Sequence, residues 1–321
     1  MNRNTFLDRR EFLVSVGVAA LGAAGACAPK PPPSTQSEKK RALRIAHLTD
    51  IHAQPGGRSA EGMARALRHA QNQPDRPDAI FNTGDSIMDS LKADKTWTER
   101  QWETFSNVLQ AECKLPITHV IGNHDVWGWD SPDTTIQEDP LYGKNMAIQV
   151  LGLANCYYSF KRAGWRFIAL DSTHLPTQAS QRIHPYIGKI DDEQFQWLAK
   201  EIEKTPPETP ICILSHIPIL CACELFDGPN EESGDWVMPA AWMHIDARRF
   251  RQLFLQHPNV RLCLSGHAHQ HEVLDYLEVR YVNSGAVSGN WWNGAYMDFP
   301  PAYVLIDLYE DGTSESTFVP Y

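Results

Sequence analysis

Short apolar runs recur along the chain at 43–48, 79–81, 116–121, 211–214 and 260–264, and each is followed at once by small and polar residues. Runs of that length, bounded by turn signals, read as buried strands. Between them the apolar period changes to that of a helix. Met63, Leu67 and Ala70 mark one helix over about 59–71, Trp102, Phe105 and Leu109 a second over about 98–111, and Phe195, Leu198 and Ile202 a third from Asp191 onward. Residues 157–160 and 165–170, joined by 161–164, read as a β-hairpin, and late strands are expected at 279–283, 303–308 and 316–319. Strands alternating with helices predict an α/β protein, and its apolar helix stripes need no cofactor to explain them.

Site chemistry comes directly after each apolar run. The first leads into Asp50-Ile51-His52, the second into Gly84-Asp85, the third into Gly122-Asn123-His124-Asp125, the fourth into Ser215-His216 and the fifth into Gly266-His267-Ala268-His269. One carboxylate or imidazole after a strand is ordinarily a turn residue or a solvated cap. Five in series are a ligand set, delivered to strand ends where open α/β sheets bind their ligands. Gly122 is expected to let the backbone turn sharply after the third strand.

The ordered set Asp-x-His, Gly-Asp, Gly-Asn-His-Asp, a lone His and Gly-His-x-His resembles that of the calcineurin-like metallophosphoesterase superfamily, and spans most of the chain after residue 50. The resemblance implies a four-layer αββα sandwich of two mixed β-sheets flanked by helices. It also implies two metal ions. One would take Asp50, His52, Asp85 and His269, the other Asp85, Asn123, His216 and His267, with Asp85 as the bridge. A carboxylate suits that place because it is anionic and carries two oxygens. His124 would face the substrate and stabilise or protonate the leaving oxygen, and Asp125 would orient it by bonding one ring nitrogen; the alternative for Asp125 is a plain turn carboxylate. The implied reaction is attack of metal-bound hydroxide on a phosphomonoester or phosphodiester.

Mixed His, Asp and Asn donors without thiolate suit Mn, Fe or Zn, and do not choose among them. Two branches of the superfamily are disfavoured. Met88 stands where purple acid phosphatases place a Tyr ligand, and residues 84–90 lack the Arg with which Ser/Thr protein phosphatases grip phosphate.

At the start of the chain, Arg9-Arg10 precedes an apolar, Ala- and Gly-rich run over 14–26. Residues 1–26 resemble a twin-arginine signal peptide, since the run is too short to span a membrane comfortably and has no polar face. Ala24-Gly25-Ala26-Cys27 resembles a lipobox with Ala24 where Leu is usual, so Cys27 is a candidate lipidation site and simple release is the alternative. Residues 27–41, rich in Pro, Ser and Lys, read as a linker, leaving 42–321 for the metallophosphoesterase domain. The expected location is extracytoplasmic, periplasmic or tethered to the membrane through Cys27.

The net charge of −10, with no basic stripe, disfavours nucleic acid and favours a small phosphoester as partner. Beyond Cys27, Cys212 and Cys263 fall inside expected strands as small hydrophobes, and Cys221-Ala222-Cys223 is a weak candidate for a soft-metal pair because no second pair accompanies it. Trp291 and Trp292, in a Gly-flanked segment over 285–294, are candidate substrate-stacking residues at the rim, with loop packing as the alternative. The remaining histidines, among them His47, His119 and His244, match no motif and are expected to be structural.

Two functions are consistent with these features. One is an exported dinuclear metal-dependent phosphoesterase. The other is a surface-anchored, non-catalytic phosphoglycan-binding protein that retains the metal site; the complete ligand set argues against it.

Overall fold

The computed structural model describes residues 39–177 and 184–321. The expected signal peptide, Cys27 and the linker as far as residue 38 lie outside the described residues. Among the described residues no helix is long and apolar enough to cross a membrane.

One sheet has five strands. β1 (Arg41–Leu48), β2 (Ala79–Asn82) and β3 (Ile117–His119) run parallel in that order. Two late strands, β12 (Ala302–Tyr309) and β13 (Ser314–Pro320), extend the β1 edge antiparallel. The second sheet has six. At its centre β5 (Trp165–Ala169), β8 (Ile211–Leu214), β9 (Val260–Ser265) and β11 (Val279–Ser284) run parallel, flanked by antiparallel β4 (Tyr158–Arg162) and β10 (His271–Tyr276). A small pair, β6 (Thr173–His174) with β7 (Ile187–Gly188), stands apart.

Strand alternation sorts the apolar side chains into three cores. Between the sheets lie Ile45, Phe81, Val304 and Ile306 from the first and Phe167, Leu214, Leu262 and Leu264 from the second. Other residues of the same strands turn the opposite way: Ala46, Leu48, Ile80 and Leu305 pack beneath α1 (Gly57–Gln71) and α2 (Lys95–Glu112) through Met63, Leu67, Trp102 and Phe105. Ile168, Ile211, Ile213 and Cys263 pack against α4 (Asp192–Glu203) and α5 (Ala247–Gln256) through Leu198, Ile202, Phe250 and Phe254. That is the expected four-layer αββα arrangement of two mixed sheets. Both strand faces are buried, so the strands read as continuous apolar runs rather than alternating ones.

Three expectations need adjusting. α2 starts at Lys95 rather than 98 because Asp94 caps it, accepting from the Trp97 amide at 2.7 Å. The hairpin loop shrinks to Ala163 and Gly164, both left-handed, a two-residue turn whose twist matches the strands and lets Lys161 and Arg162 join β4. α5 and the short α3 (Asn145–Leu151) went unexpected, although Phe250, Leu253 and Phe254 carry the helical spacing.

Candidate active site

Each parallel strand feeds its polar residues to the same end of its sheet, and the sandwich brings the two ends together. The loops after β1 and β2 are laced by backbone bonds from the Asp50 amide to Gly84 O and from the His52 amide to Asp85 O, each 3.0 Å. Those after β8 and β9 are tied by the Gly266 amide to His216 O at 3.1 Å. Across the interface the His267 amide donates to both oxygens of Asp50, at 3.1 and 2.9 Å.

All seven expected ligands meet there, nearly all fully buried. Asp50, His52 and His269 form one cluster of donor atoms; Asp85, His216 and His267 form another. Asp85 spans the two, with Oδ2 3.7 Å from His52 Nε2 and Oδ1 3.3 Å from His216 Nε2. Asn123 joins the second cluster, its Oδ1 2.9 Å from His216 Nε2. His124, expected beside the metals rather than on them, also lies within ligand reach of His52 and Asp85.

The second nitrogen of each ring explains why the first faces inward. His269 Nδ1 bonds Gly289 O at 2.6 Å, His216 Nδ1 bonds Thr83 O at 2.9 Å, and His267 uses Nε2 for Ala241 O at 3.0 Å. A ring N–H donated to a carbonyl leaves the opposite nitrogen of the neutral imidazole as a lone pair. His52 Nδ1 lies 3.4 Å from Met88 O, and in the tautomer that gives the Nδ1–H of both His52 and His269 to backbone carbonyls two lone pairs face each other: His52 Nε2 and His269 Nε2 are 3.1 Å apart. Acceptors so close and so dry repel unless a cation lies among them. Electrostatics says the same of His216. Burial lowers its pKa, but the carboxylates of Asp85, Asp50 and Asp125 outweigh this and pull it up to about 9, so the site attracts positive charge. The donor set thus fits divalent metal ions of the Mn, Fe or Zn kind.

Backbone conformation carries a signal that the sequence did not disclose. Asp50, His52, Asp85, His267 and His269 all have left-handed φ, between 50° and 73°. For a residue other than glycine this costs about 1 to 3 kcal/mol, and such strain clusters at functional sites. The left-handed turn directly after each strand is what folds Asp50 and His52, or His267 and His269, back toward one centre.

Several site expectations are corrected. Asp125 does not touch His124. Its Oδ1 accepts from the Ser86 and Ile87 amides at 2.8 and 3.2 Å and its Oδ2 from the Gly122 amide at 2.9 Å, so it pins the loops carrying Asp85 and Asn123. His124 is oriented instead by Met88 O, 2.6 Å from its Nδ1. Gly122 has no positive φ; a Cβ there would fall 2.2 Å from the Asp85 carboxylate, so close approach, not turning, requires glycine. The tryptophan pair divides. Trp291 stacks near His269, ring centroids 4.4 Å apart, and lines the cavity. Trp292 packs against Gly62 of α1 and donates to His52 O at 3.0 Å, a brace and not a substrate contact.

The donors open into a cavity of about 260 Å³. Its far wall comes from Tyr186, Glu224, Asp227, Trp242 and Tyr296, of which the sequence points only to Trp242, as one of several loop tryptophans open to stacking or to packing. Asp227 accepts from the Tyr296 hydroxyl at 2.7 Å. Glu224 is buried; desolvation first, then Cys223 and Asp227, push its carboxyl up to about 9. Among the described residues lining the cavity there is no Lys or Arg.

The αββα fold and this site define a metal-dependent phosphoester hydrolase. Residues 43–271 match the calcineurin-like phosphoesterase family, and the chain belongs to it. The chain is 27% identical over 240 residues, covering 71% of this chain and 74% of the relative, to a probable cyclic nucleotide phosphodiesterase of Synechococcus sp.. It is 22% identical over 290 residues, covering 86% and 91%, to a 3′,5′-cyclic-nucleotide phosphodiesterase of Nostoc sp.. Its fold is similar to that of a dimetal phosphatase from Danio rerio, with a TM-score of 0.59 at 15% identity over 88% of this chain and 100% of that one.

Proposed function

We propose that the protein is an exported, dinuclear metal-dependent phosphodiesterase acting on a small phosphodiester, with cyclic nucleotides as the first substrates to test. The observation that carries this reading is the pair of donor clusters sharing Asp85 beneath a cavity whose other wall is acidic. A phosphomonoester brings a second negative charge near neutral pH; a diester brings one. With Asp227 opposite and no Lys or Arg among the described residues lining the cavity, the singly charged ester is favoured. The names of the two cyanobacterial relatives support the same choice, and the rings of Trp291 and Tyr296, centroids 5.5 Å apart and nearly perpendicular, form an aromatic corner against which a base can lie.

Asp50, His52, Asp85 and His269 would hold one ion and Asp85, Asn123, His216 and His267 the other. Bound there, divalent ions supply an activated water and Lewis acidity at the phosphoryl oxygens. The protein's own part is positional. Asp85 Oδ1 accepts from the His124 amide at 2.8 Å, fixing that residue beside the phosphoryl position. With its Nδ1 committed to Met88 O, His124 has Nε2 as the ring nitrogen through which it would donate a proton to the leaving oxygen. Trp291 and Tyr296 keep bulk water from the reacting group.

The test is turnover of bis-p-nitrophenyl phosphate, p-nitrophenyl phosphate and 3′,5′-cyclic AMP by protein loaded in parallel with Mn, Zn and Fe. Preference for the diesters is expected, narrowed in Asp227→Asn, together with loss of turnover and of one ion or more in Asp85→Asn. Monoester preference, or silence on all three with metal bound, would overturn the substrate reading. Full turnover and full metal content in Asp85→Asn would overturn the bridge.

Export rests on Arg9-Arg10 and the apolar run after them, and tethering on Cys27. Fractionation of cells carrying Arg9→Lys/Arg10→Lys or Cys27→Ser tests both: retention in the cytoplasm is expected of the first, and release from the membrane of the second.

A further inference from the structure

Behind the Gly-His-Ala-His loop lies a second group of metal-competent side chains with different chemistry. Cys221 and Cys223, both buried, bring their sulfurs within 4.8 Å of each other and of a carboxylate oxygen of Glu272. Sequence spacing discounted this pair for want of further ligands. The fold supplies them from elsewhere, because Glu272 on β10 is paired in register with Asn283 on β11, which sets the two side chains beside each other on one face.

Asn283 is the independent observation. It is buried, and its Oδ1 has no hydrogen-bond partner. The other end of the same amide, Nδ2, lies 3.7 Å from the Cys223 sulfur. A half-turn of the amide exchanges its ends and brings the orphaned oxygen to the cluster. The loop is already drawn to the carboxylate: Glu272 Oε2 accepts from the Ala222 amide at 2.8 Å and the Cys223 amide at 3.4 Å.

We propose that Cys221, Cys223, Glu272 and Asn283 form a separate structural site for one thiophilic divalent cation, zinc above all. Two sulfurs and two oxygens make the four-ligand set of a closed zinc site. Binding exchanges two thiol protons for the ion, leaving two thiolates bonded to it and two protons released to solvent. The two centres sort ions by softness: nitrogen and oxygen donors in the active site, sulfur donors here. Ala268 packs on both cysteines, and Glu224 follows Cys223 directly, so the ion would brace the His267–His269 loop and the acidic wall of the cavity from behind.

The test is titration of the reduced full chain with Co²⁺, followed by the near-ultraviolet thiolate-to-cobalt charge-transfer band, which the nitrogen and oxygen donors of the active site do not produce. One equivalent of band is expected in the wild type and in Asp85→Asn, a weakened one in Glu272→Gln, and none in Cys221→Ser/Cys223→Ser. Zinc added in competition should abolish it. Absence of the band in the reduced wild type would overturn the proposal whether or not the serine variant folds, as would an undiminished band in that variant.

Discussion

His52 and His269, both buried, present their Nε2 atoms to each other at 3.1 Å, and in the tautomer that gives Nδ1–H of each to a backbone carbonyl these are two lone pairs face to face. Without a cation between them this arrangement is repulsive, so part of the stability of the loaded protein resides in the metal. Chelation is expected to lower the melting temperature reversibly. At a metal concentration one hundred times the dissociation constant, linkage gives about 2.7 kcal/mol of stabilisation for one site. Calorimetry with chelator and after re-addition of Mn or Zn checks this; an unchanged melting temperature on verified metal removal would count against it.

Asp125 supports two loops and leaves His124 to Met88, which separates two outcomes that an orienting role would join. Asp125→Asn keeps one oxygen but turns an amide N–H toward another donor, the Gly122 or the Ser86 and Ile87 amides. The cost of such a mismatch is about 1 to 3 kcal/mol of stability, with weaker metal binding because the Asp85 and Asn123 loops loosen. Turnover of the metal-saturated variant, which His124 serves, should stay within a few-fold of the wild type. A loss of about 100-fold at normal stability and metal content would restore the orienting role.

The motifs were legible because each sits directly after a buried strand, where chemistry and pattern coincide. Ile45 and Phe81 predict strands, and Asp50 and Asp85 are conspicuous for following them. The far wall was not legible: Glu224, Asp227 and Tyr296 lie outside the periodic elements, and only the packing of their loops over the sheet ends makes them neighbours. Asp125 was misread for a related reason. The resemblance implied a bond to His124, but a left-handed Asp85 and a tight Gly122 bring backbone amides to the carboxylate first. Trp291 and Trp292 are adjacent and alike in sequence, and only the turn between them decides which meets the cavity and which meets α1.

Gly266 is required by approach rather than by conformation. A Cβ built there would lie 1.9 Å from Thr49 Oγ1 and 2.3 Å from Asp50 Oδ2. The Thr49 hydroxyl donates to that same oxygen at 2.7 Å, so neither group can move without disturbing a ligand. Gly266→Ala is expected to push Asp50 off its seat, cutting metal affinity and turnover by about 100-fold or more, while the fold, held by three separate cores, survives. Metal content and circular dichroism of the purified variant decide; near-normal metal affinity would mean the loop yields more easily than its contacts suggest.

His47 makes stability depend on pH independently of the metal ligands. It is fully buried, bonded through Nδ1 to Ser284 Oγ at 2.6 Å and through Nε2 to Thr83 Oγ1 at 2.8 Å, and burial lowers its pKa from 6.5 to about 3. Between those values the unfolded chain takes up a proton that the folded one refuses, so stability rises with pH through this window. The contribution is complete above the unfolded pKa and is lost progressively as pH falls toward 3, with a ceiling of about 5 kcal/mol at 1.36 kcal/mol per unit. His119, lowered by burial to about 4, acts in the same direction. His47→Asn should be less stable than the wild type at pH 7, and the gap should narrow by on the order of 3 kcal/mol by pH 4, because only the wild type carries this group's penalty there. Urea unfolding of both proteins in chelator at the two pH values measures the gap. A gap independent of pH would mean that His47 keeps its proton on folding and that its two hydroxyl partners accept rather than donate.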